Sequence, residues 1–243
     1  SFPTRRSSDL FVNLGADGTV GDQVVIDGGS GYSVAEPRWT EECELVHVSN
    51  ASGFYNLYRT EGFPRRGTNR EGWTGALHTH PLHPADATFT YPAWQLGPHS
   101  FDVLDGEHLI ASWARDGLWH LGTVRLSNGE LEEWNTGWQP MGNVAAAGGR
   151  VVMLAGNEMA LPSIIEVRRG AVQVLRGSSD VEALSVGVSF AEPVSWPTAG
   201  DQTAHGFYYP PTSTAYRGPE GERPPLVVTK RSEERRVGKE CRS

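Results

Sequence analysis

Apolar residues alternating with a period of two, Gly-centred turn pairs at short intervals, and a Pro-x-Trp motif recurring after 55 residues (Pro37-Arg38-Trp39, then Pro92-Ala93-Trp94) predict an all-β chain. The architecture these observations favour is a partial β-propeller of about three four-stranded blades over residues 11–180, with a β-sandwich as its structural rival. No stretch carries a helical apolar stripe, and 29 Gly and 16 Pro punctuate the chain throughout.

The elements follow in order. Residues 11–29 read as the last two strands of an earlier blade, with VVID at 24–27 as the second of them. Strands are predicted at ELVHVS (44–49), FYNLYR (54–59), ATFTYPAW (87–94), HLIASWA (108–114), LWHLGTVRL (118–126) and LEEWNT (131–136). A third unit from about Met141 to Ser178 contributes RVVMLAG (150–156), SIIEVRR (163–169) and AVQVLRG (171–177). Each Pro-x-Trp is expected where a strand begins, and the loop at 61–72 accounts for a spacing longer than the roughly 40–50 residues of a blade. Asn128-Gly129 supplies two residues tolerant of positive φ, as a type I′ hairpin requires. Asp17-Gly18, Asp105-Gly106 and Asp116-Gly117 are suited to similar work, and Gly148-Gly149 and Arg169-Gly170 mark two more tight turns.

A boundary is expected near 180–188, with a linker at 181–190. Beyond it, VSWPT and AHGFYYPP read as two strands joined by a polar turn at 199–202, followed by a Pro-rich loop and an apolar strand opening at Leu226.

The two ends do not belong to this pattern. SFPTRRSSDL (1–10) is encoded by TCTTTCCCTACACGACGCTCTTCCGATCT, and the reverse complement of that string encodes RSEERRVGKE, which stands at 231–240. Two unrelated protein ends would not encode one oligonucleotide in opposite senses, and the string resembles a common sequencing adapter. Residues 1–10 and 231–243 are therefore read as non-native scars flanking an internal piece of a longer protein. The competing reading, a basic tail for nucleic acid, does not explain the codon match.

Without the scars, 14 Lys and Arg face 25 Asp and Glu, and the net charge moves from −8 to −11. Such a chain is a poor partner for phosphate backbones, so no nucleic acid is expected. No apolar run approaches the roughly 18–20 residues of a membrane helix. Cys241 falls in the second scar, which leaves Cys43 alone and excludes an intrachain disulfide.

Several residues have the chemistry of a site. His78, His80 and His83 have metal-ligand character, but Asp86 is their one acidic neighbour in sequence and Pro81 and Pro84 point to a turn, so an outer-strand surface is expected. Ser30 and Ser189 sit in Gly-containing stretches, yet neither completes Gly-x-Ser-x-Gly. His205 is read as a packed structural histidine. Phe54, Tyr55, Tyr58, Trp113 and Trp119 alternate along strands and are assigned to packing between blades. Asn50-Ala51-Ser52 matches a glycosylation sequon by coincidence, and Arg65, Arg66 and Arg70 belong to a solvated loop.

DGTVGDQVVIDGGSGYSVAEPRW followed by HVSNASGFYNLYR resembles the later blades of bacterial prolyl oligopeptidase-family peptidases, of the dipeptidyl aminopeptidase/acylaminoacyl-peptidase type. SWARDGLWHL (112–121) resembles the equivalent pair in the next blade. The stretch from Ala191 through PPLVVTK is similar to the crossover from propeller into α/β-hydrolase domain. In that family the strand matching PPLVVTK runs into a His-Gly-Gly-Pro turn that helps form the oxyanion hole. Glu41-Glu42-Cys43 departs from the family's turn, which leaves that hairpin's geometry open.

The resemblance implies a partial propeller followed, at 191–230, by the first β-strands of a truncated α/β-hydrolase domain of a serine peptidase. Its propeller would gate access of short peptides, the implied partners, to the catalytic domain. The Gly-x-Ser-x-Gly elbow and the later Asp and His lie downstream in the family. This chain is accordingly expected to hold no catalytic, cofactor-binding or metal residues, to need no cofactor, and to be inactive alone. The other readings are a stand-alone propeller binding module without catalysis and a lactonase-like propeller with a metal site in its channel. Oligomeric state and compartment stay open, with the cytoplasm favoured.

Overall fold

The computed structural model describes residues 8–14, 18–29, 31–64, 76–92, 97–168, 171–178, 187–213, 215–216, 218–222 and 226–229. These form strands only. A hairpin of β1 (Ser8–Leu14) and β2 (Val20–Gly28) precedes three four-stranded antiparallel sheets. The first sheet is β3 (Val34–Trp39), β4 (Leu45–Ser49), β5 (Asn56–Glu61) and β6 (His78–His83). The second is β7 (Phe101–Val103), β8 (His108–Arg115), β9 (Leu118–Arg125) and β10 (Leu131–Glu133). The third is β11 (Gln139–Ala147), β12 (Arg150–Asn157), β13 (Ala160–Arg168) and β14 (Ala171–Gly177). A second hairpin, β15 (Glu192–Thr198) and β16 (Gln202–Tyr208), closes the described chain.

Each sheet pairs its strands in chain order, as a propeller blade does. The first strands of successive sheets lie against one another, β3 on β7 and β7 on β11. The core is therefore divided between the sheets. Val46, Val48, Leu57 and Leu82 of the first meet Leu109, Ala111, Trp113 and Val124 of the second, with Phe89 and Phe101 beside them. On the other face of the second sheet, Ile110 and Leu121 meet Val144, Val151, Met153, Ile165 and Val167 of the third. Successive residues of β8 thus serve opposite neighbours, as side-chain alternation in a strand covered on both faces demands.

Turn chemistry decides the hairpins, though not always where expected. Asp116 (φ 53°) and Gly117 (φ 81°) form the two-residue link between Arg115 and Leu118, the positive-φ pair of a type I′ turn. Gly148 and Gly149 do the same between β11 and β12. Asn128-Gly129 does not, because only Gly129 (φ 70°) has positive φ. There the longer loop closes with Gly129 N donating to Arg125 O and Arg125 N to Glu130 O, while Asn128 Oδ1 accepts from Glu130 N. The Glu41-Glu42-Cys43 turn closes through Thr40 and Glu44, with Cys43 itself left-handed at φ 62°.

Four expectations need correction. The segment 87–94 is not a strand where it is described. It crosses between blades, with Thr88 bridging Ala114 and Phe89 N donating to Tyr55 O, because β6 already occupies the free edge of β5. The first Pro-x-Trp does not begin a strand, since Trp39 ends β3, and Ala93 and Trp94 of the second lie outside the described residues. Strands β7 and β11 were not among the predicted strands, and β3 was expected only as a strand beginning at Pro-x-Trp. Residues 226–229 form no strand, and Leu226, Val227 and Val228 are 73–82% exposed, because an isolated extended segment has no neighbour to satisfy its backbone. The strand expected to open an α/β-hydrolase sheet is therefore absent among the described residues. β1 begins at Ser8, within the segment 1–10, and residues 1–7, 179–186, 223–225 and 230–243 lie outside the described residues.

Candidate functional site

Because the strands are antiparallel, the β8–β9 turn, the β12–β13 turn and the connection after β10 all emerge on one face of the stacked sheets. The closing hairpin lies over that face. Between them is a cavity of about 500 Å³, lined from the sheets by Trp119, His120, Glu133, Trp134, Trp138 and Glu158 among others, and from the hairpin by Pro193, Phe207 and Tyr209. Its walls come from three widely separated parts of the sequence.

Local packing holds those walls. Trp119 stacks on Tyr91 with ring centroids 4.3 Å apart. Tyr91 shares a 3.1 Å hydrogen bond with Ser112, and burial pushes its phenol well above the usual range. His120 stacks on Trp113 at 5.5 Å and pairs through Nδ1 with Glu133 Oε1 at 2.8 Å, and Arg115 reaches the other oxygen of Glu133 at 3.6 Å. Phe207 lies close over Gly117, where an added Cβ would stand 3.1 Å from Phe207 Cζ. The base of the hairpin is tied by Ser189 Oγ donating to Pro210 O (2.5 Å) and Thr212 Oγ1 to Gly187 O (2.7 Å).

The residues singled out from sequence scatter. His83 Nδ1 pairs with Gly129 O at 2.8 Å and joins the first sheet to the second, while His78 and His80 lie opposite Glu61 and Arg59 along β6. Among the described residues no group of three or more His, Cys, Asp or Glu converges as a metal site would require. Ser189 serves the hairpin base. His205 is exposed, not packed, and its Nδ1 meets Ser195 Oγ at 2.8 Å across the hairpin. That pair shares the face of Phe207 but has no carboxylate partner among the described residues, so it lacks the third member of a hydrolytic triad. Tyr58 and Trp113 are buried as expected, whereas Phe54 is 39% exposed at a turn. Asn50 uses its side-chain oxygen to accept from Ser33 N at 2.6 Å. Ser30, Arg65, Arg66 and Arg70 lie outside the described residues.

Sequence reading missed a second cluster, around Asp27. Its carboxylate pairs with fully buried His47 (Nε2, 2.8 Å) and accepts from Tyr32 OH (2.9 Å) and Gly28 N (2.8 Å). Burial alone would raise its pKa, but the bonds to His47, Gly28 and Tyr32 outweigh burial and hold Asp27 below the usual carboxylate value. The signal available was a histidine inside the run ELVHVS, whose residues 45–49 form β4 and are all buried.

Three consecutive four-stranded antiparallel sheets, stacked face to face, define the class as propeller blades. No family model matches the sequence, and no curated protein matches it. Solved structures do. A puromycin hydrolase matches with a TM-score of 0.73 at 21% identity, over 88% of this chain and 31% of its own. A puromycin-hydrolyzing peptidase of Mycobacterium tuberculosis matches at 0.73 and 23% identity, over 86% and 30%. Prolyl oligopeptidase B from Galerina marginata, bound to a 35mer hydrolysis and macrocyclization substrate, matches at 0.59 and 9% identity, over 84% and 28%. The likeness is to the propeller portions of these proteins, and the chain spans about 30% of their length. At these identities it establishes the fold.

Proposed function

We propose that this chain is part of a prolyl oligopeptidase-family serine peptidase, of the dipeptidyl aminopeptidase/acylaminoacyl-peptidase type. Its sheets form part of a propeller that admits short peptides and excludes folded proteins, and residues 191–230 open the catalytic domain. The observation that carries the reading is the closing hairpin seated over one face of the blades. A self-contained ring has no use for such an element, whereas a two-domain enzyme needs a crossover there. The likeness to two puromycin-hydrolysing enzymes over most of this chain supports the same reading.

In the full enzyme an activated Ser outside residues 1–243 attacks the scissile carbonyl, with His as base and Asp orienting it. This chain supplies the access filter and one wall of the cavity above the chemistry. Sequencing the source locus past codon 230 tests the proposal. The expected result is His-Gly-Gly-Pro followed further on by Gly-x-Ser-x-Gly, in a product that cleaves peptidyl nitroanilides and spares casein. A stop codon at that point, or a product inert to a serine-directed fluorophosphonate, overturns it in favour of a binding module. The 243-residue chain by itself is expected to release no nitroaniline.

A further inference from the structure

We infer that the cavity between the second and third sheets and the closing hairpin binds a small ligand combining an apolar body with an ammonium group. The inference does not need the peptidase reading, because the lining it uses comes from residues 117–209 of this chain. Its volume of about 500 Å³ falls in the range of small-molecule sites. Trp119, Trp138, Phe207 and Tyr209 line it from both sides, and Trp119 is braced from behind by Tyr91. Aromatic faces favour a cation through their quadrupole and an apolar body through contact.

The polar lining sets the sign of the ligand. Among the described residues two carboxylates, Glu133 and Glu158, reach the cavity, and neither Lys nor Arg does. Glu133 is already matched by Arg115 and His120. Glu158, on the β12–β13 turn, has no hydrogen-bond or ionic partner among the described residues. It is therefore the charge a ligand can answer. The side-chain amides of Asn135 and Gln139 are likewise unengaged and offer hydrogen bonds to a neutral polar group. An anionic ligand would meet these carboxylates with no Lys or Arg among the described lining residues to receive it.

Titrating benzyltrimethylammonium into the 243-residue chain, with tryptophan fluorescence as readout, tests this directly. Saturable quenching is expected, at least about tenfold tighter than for benzyl alcohol or phenylacetate. Glu158→Gln is expected to weaken cation binding about tenfold with an unchanged melting temperature, since Glu158 is exposed and unpaired. Trp138→Leu should weaken the cation and benzyl alcohol together, and Glu130→Gln, on a remote turn, should change neither. Equal affinity for cation and neutral probe, tighter binding of phenylacetate, or an unaffected Glu158→Gln protein overturns the inference. Should Trp138→Leu fail to fold, the Glu158→Gln comparison decides alone.

Discussion

The second blade and the closing hairpin are made of the same materials: short antiparallel strands, a tight turn with positive-φ residues, and a tryptophan near mid-strand. In the blade, Trp113 is 1% exposed, between Phe89 and His120. In the hairpin, Trp196 is 49% exposed and lies over Gly206, with Val194 and Tyr208 open beside it. The difference is in the neighbours. Blade two is covered on both faces by its own chain, so its apolar strands can be consecutive. The hairpin is covered on one side only, along Pro193, Phe207 and the cavity. Interior stability and the seating of the hairpin on the blades thus reside in different parts of this molecule, and mutations should separate them.

The largest effect is expected inside the blade. Trp113→Ala removes a fully buried indole from between two rings and should cost about 4 kcal/mol, read as a lower denaturation midpoint. Next comes the junction of the first two blades. Gly129 has φ 70°, and a Cβ there would lie 1.8 Å from Leu82 O, a backbone atom that cannot rotate away. Gly129→Ala should therefore cost about 3 kcal/mol and also lengthen the His83–Gly129 hydrogen bond, visible as a shifted His83 resonance.

A pH titration sharpens the comparison at the other end of the chain. Asp27 has a folded-state pKa below its unfolded value, so its contribution is fully present above the unfolded value of 3.8 and is lost as pH falls through the lower folded one. Asp27→Asn should flatten that acid limb. The effect is about 1 kcal/mol at neutral pH, reduced by the solvent around a carboxylate that is only partly covered. An unchanged acid limb would mean that His47 and Tyr32 do not stabilise the carboxylate.

What was legible in the sequence follows the same division. Strands β4, β5, β8, β9, β12, β13 and β14 are runs of β-branched and aromatic residues, and their pattern identifies them because burial on a sheet face requires it. The first strands β7 and β11 were missed and β3 was misplaced because their polar residues are satisfied by the next blade. Glu36, at φ 56° in a bulge of β3, accepts from Ser100 N (2.7 Å), Ser100 Oγ (2.9 Å) and Thr90 Oγ1 (2.8 Å). Asp102 of β7 accepts from Ala146 N of β11 at 2.9 Å. No local pattern encodes a partner 44 to 64 residues away. The hairpin was legible from its turn, but the cavity was not, since Trp119, Trp138, Glu158 and Phe207 meet only once three sheets and a hairpin are in place.

The smallest effect is expected in the hairpin, and it bears most directly on function. Ser195 and His205 form a 2.8 Å pair that resembles part of a catalytic dyad, on the face that Phe207 turns toward the cavity. Both side chains are exposed and exchange their mutual bond for bonds to water at little cost. Ser195→Ala should change unfolding free energy by less than about 0.5 kcal/mol. In the full-length peptidase proposed above it should leave kcat for a peptidyl nitroanilide within about twofold, where loss of a triad serine costs about a millionfold. A collapse of kcat with folding intact would move the chemistry from the catalytic domain proposed above into this hairpin, and would make the exposed strand pair, not the buried blade, the centre of the molecule.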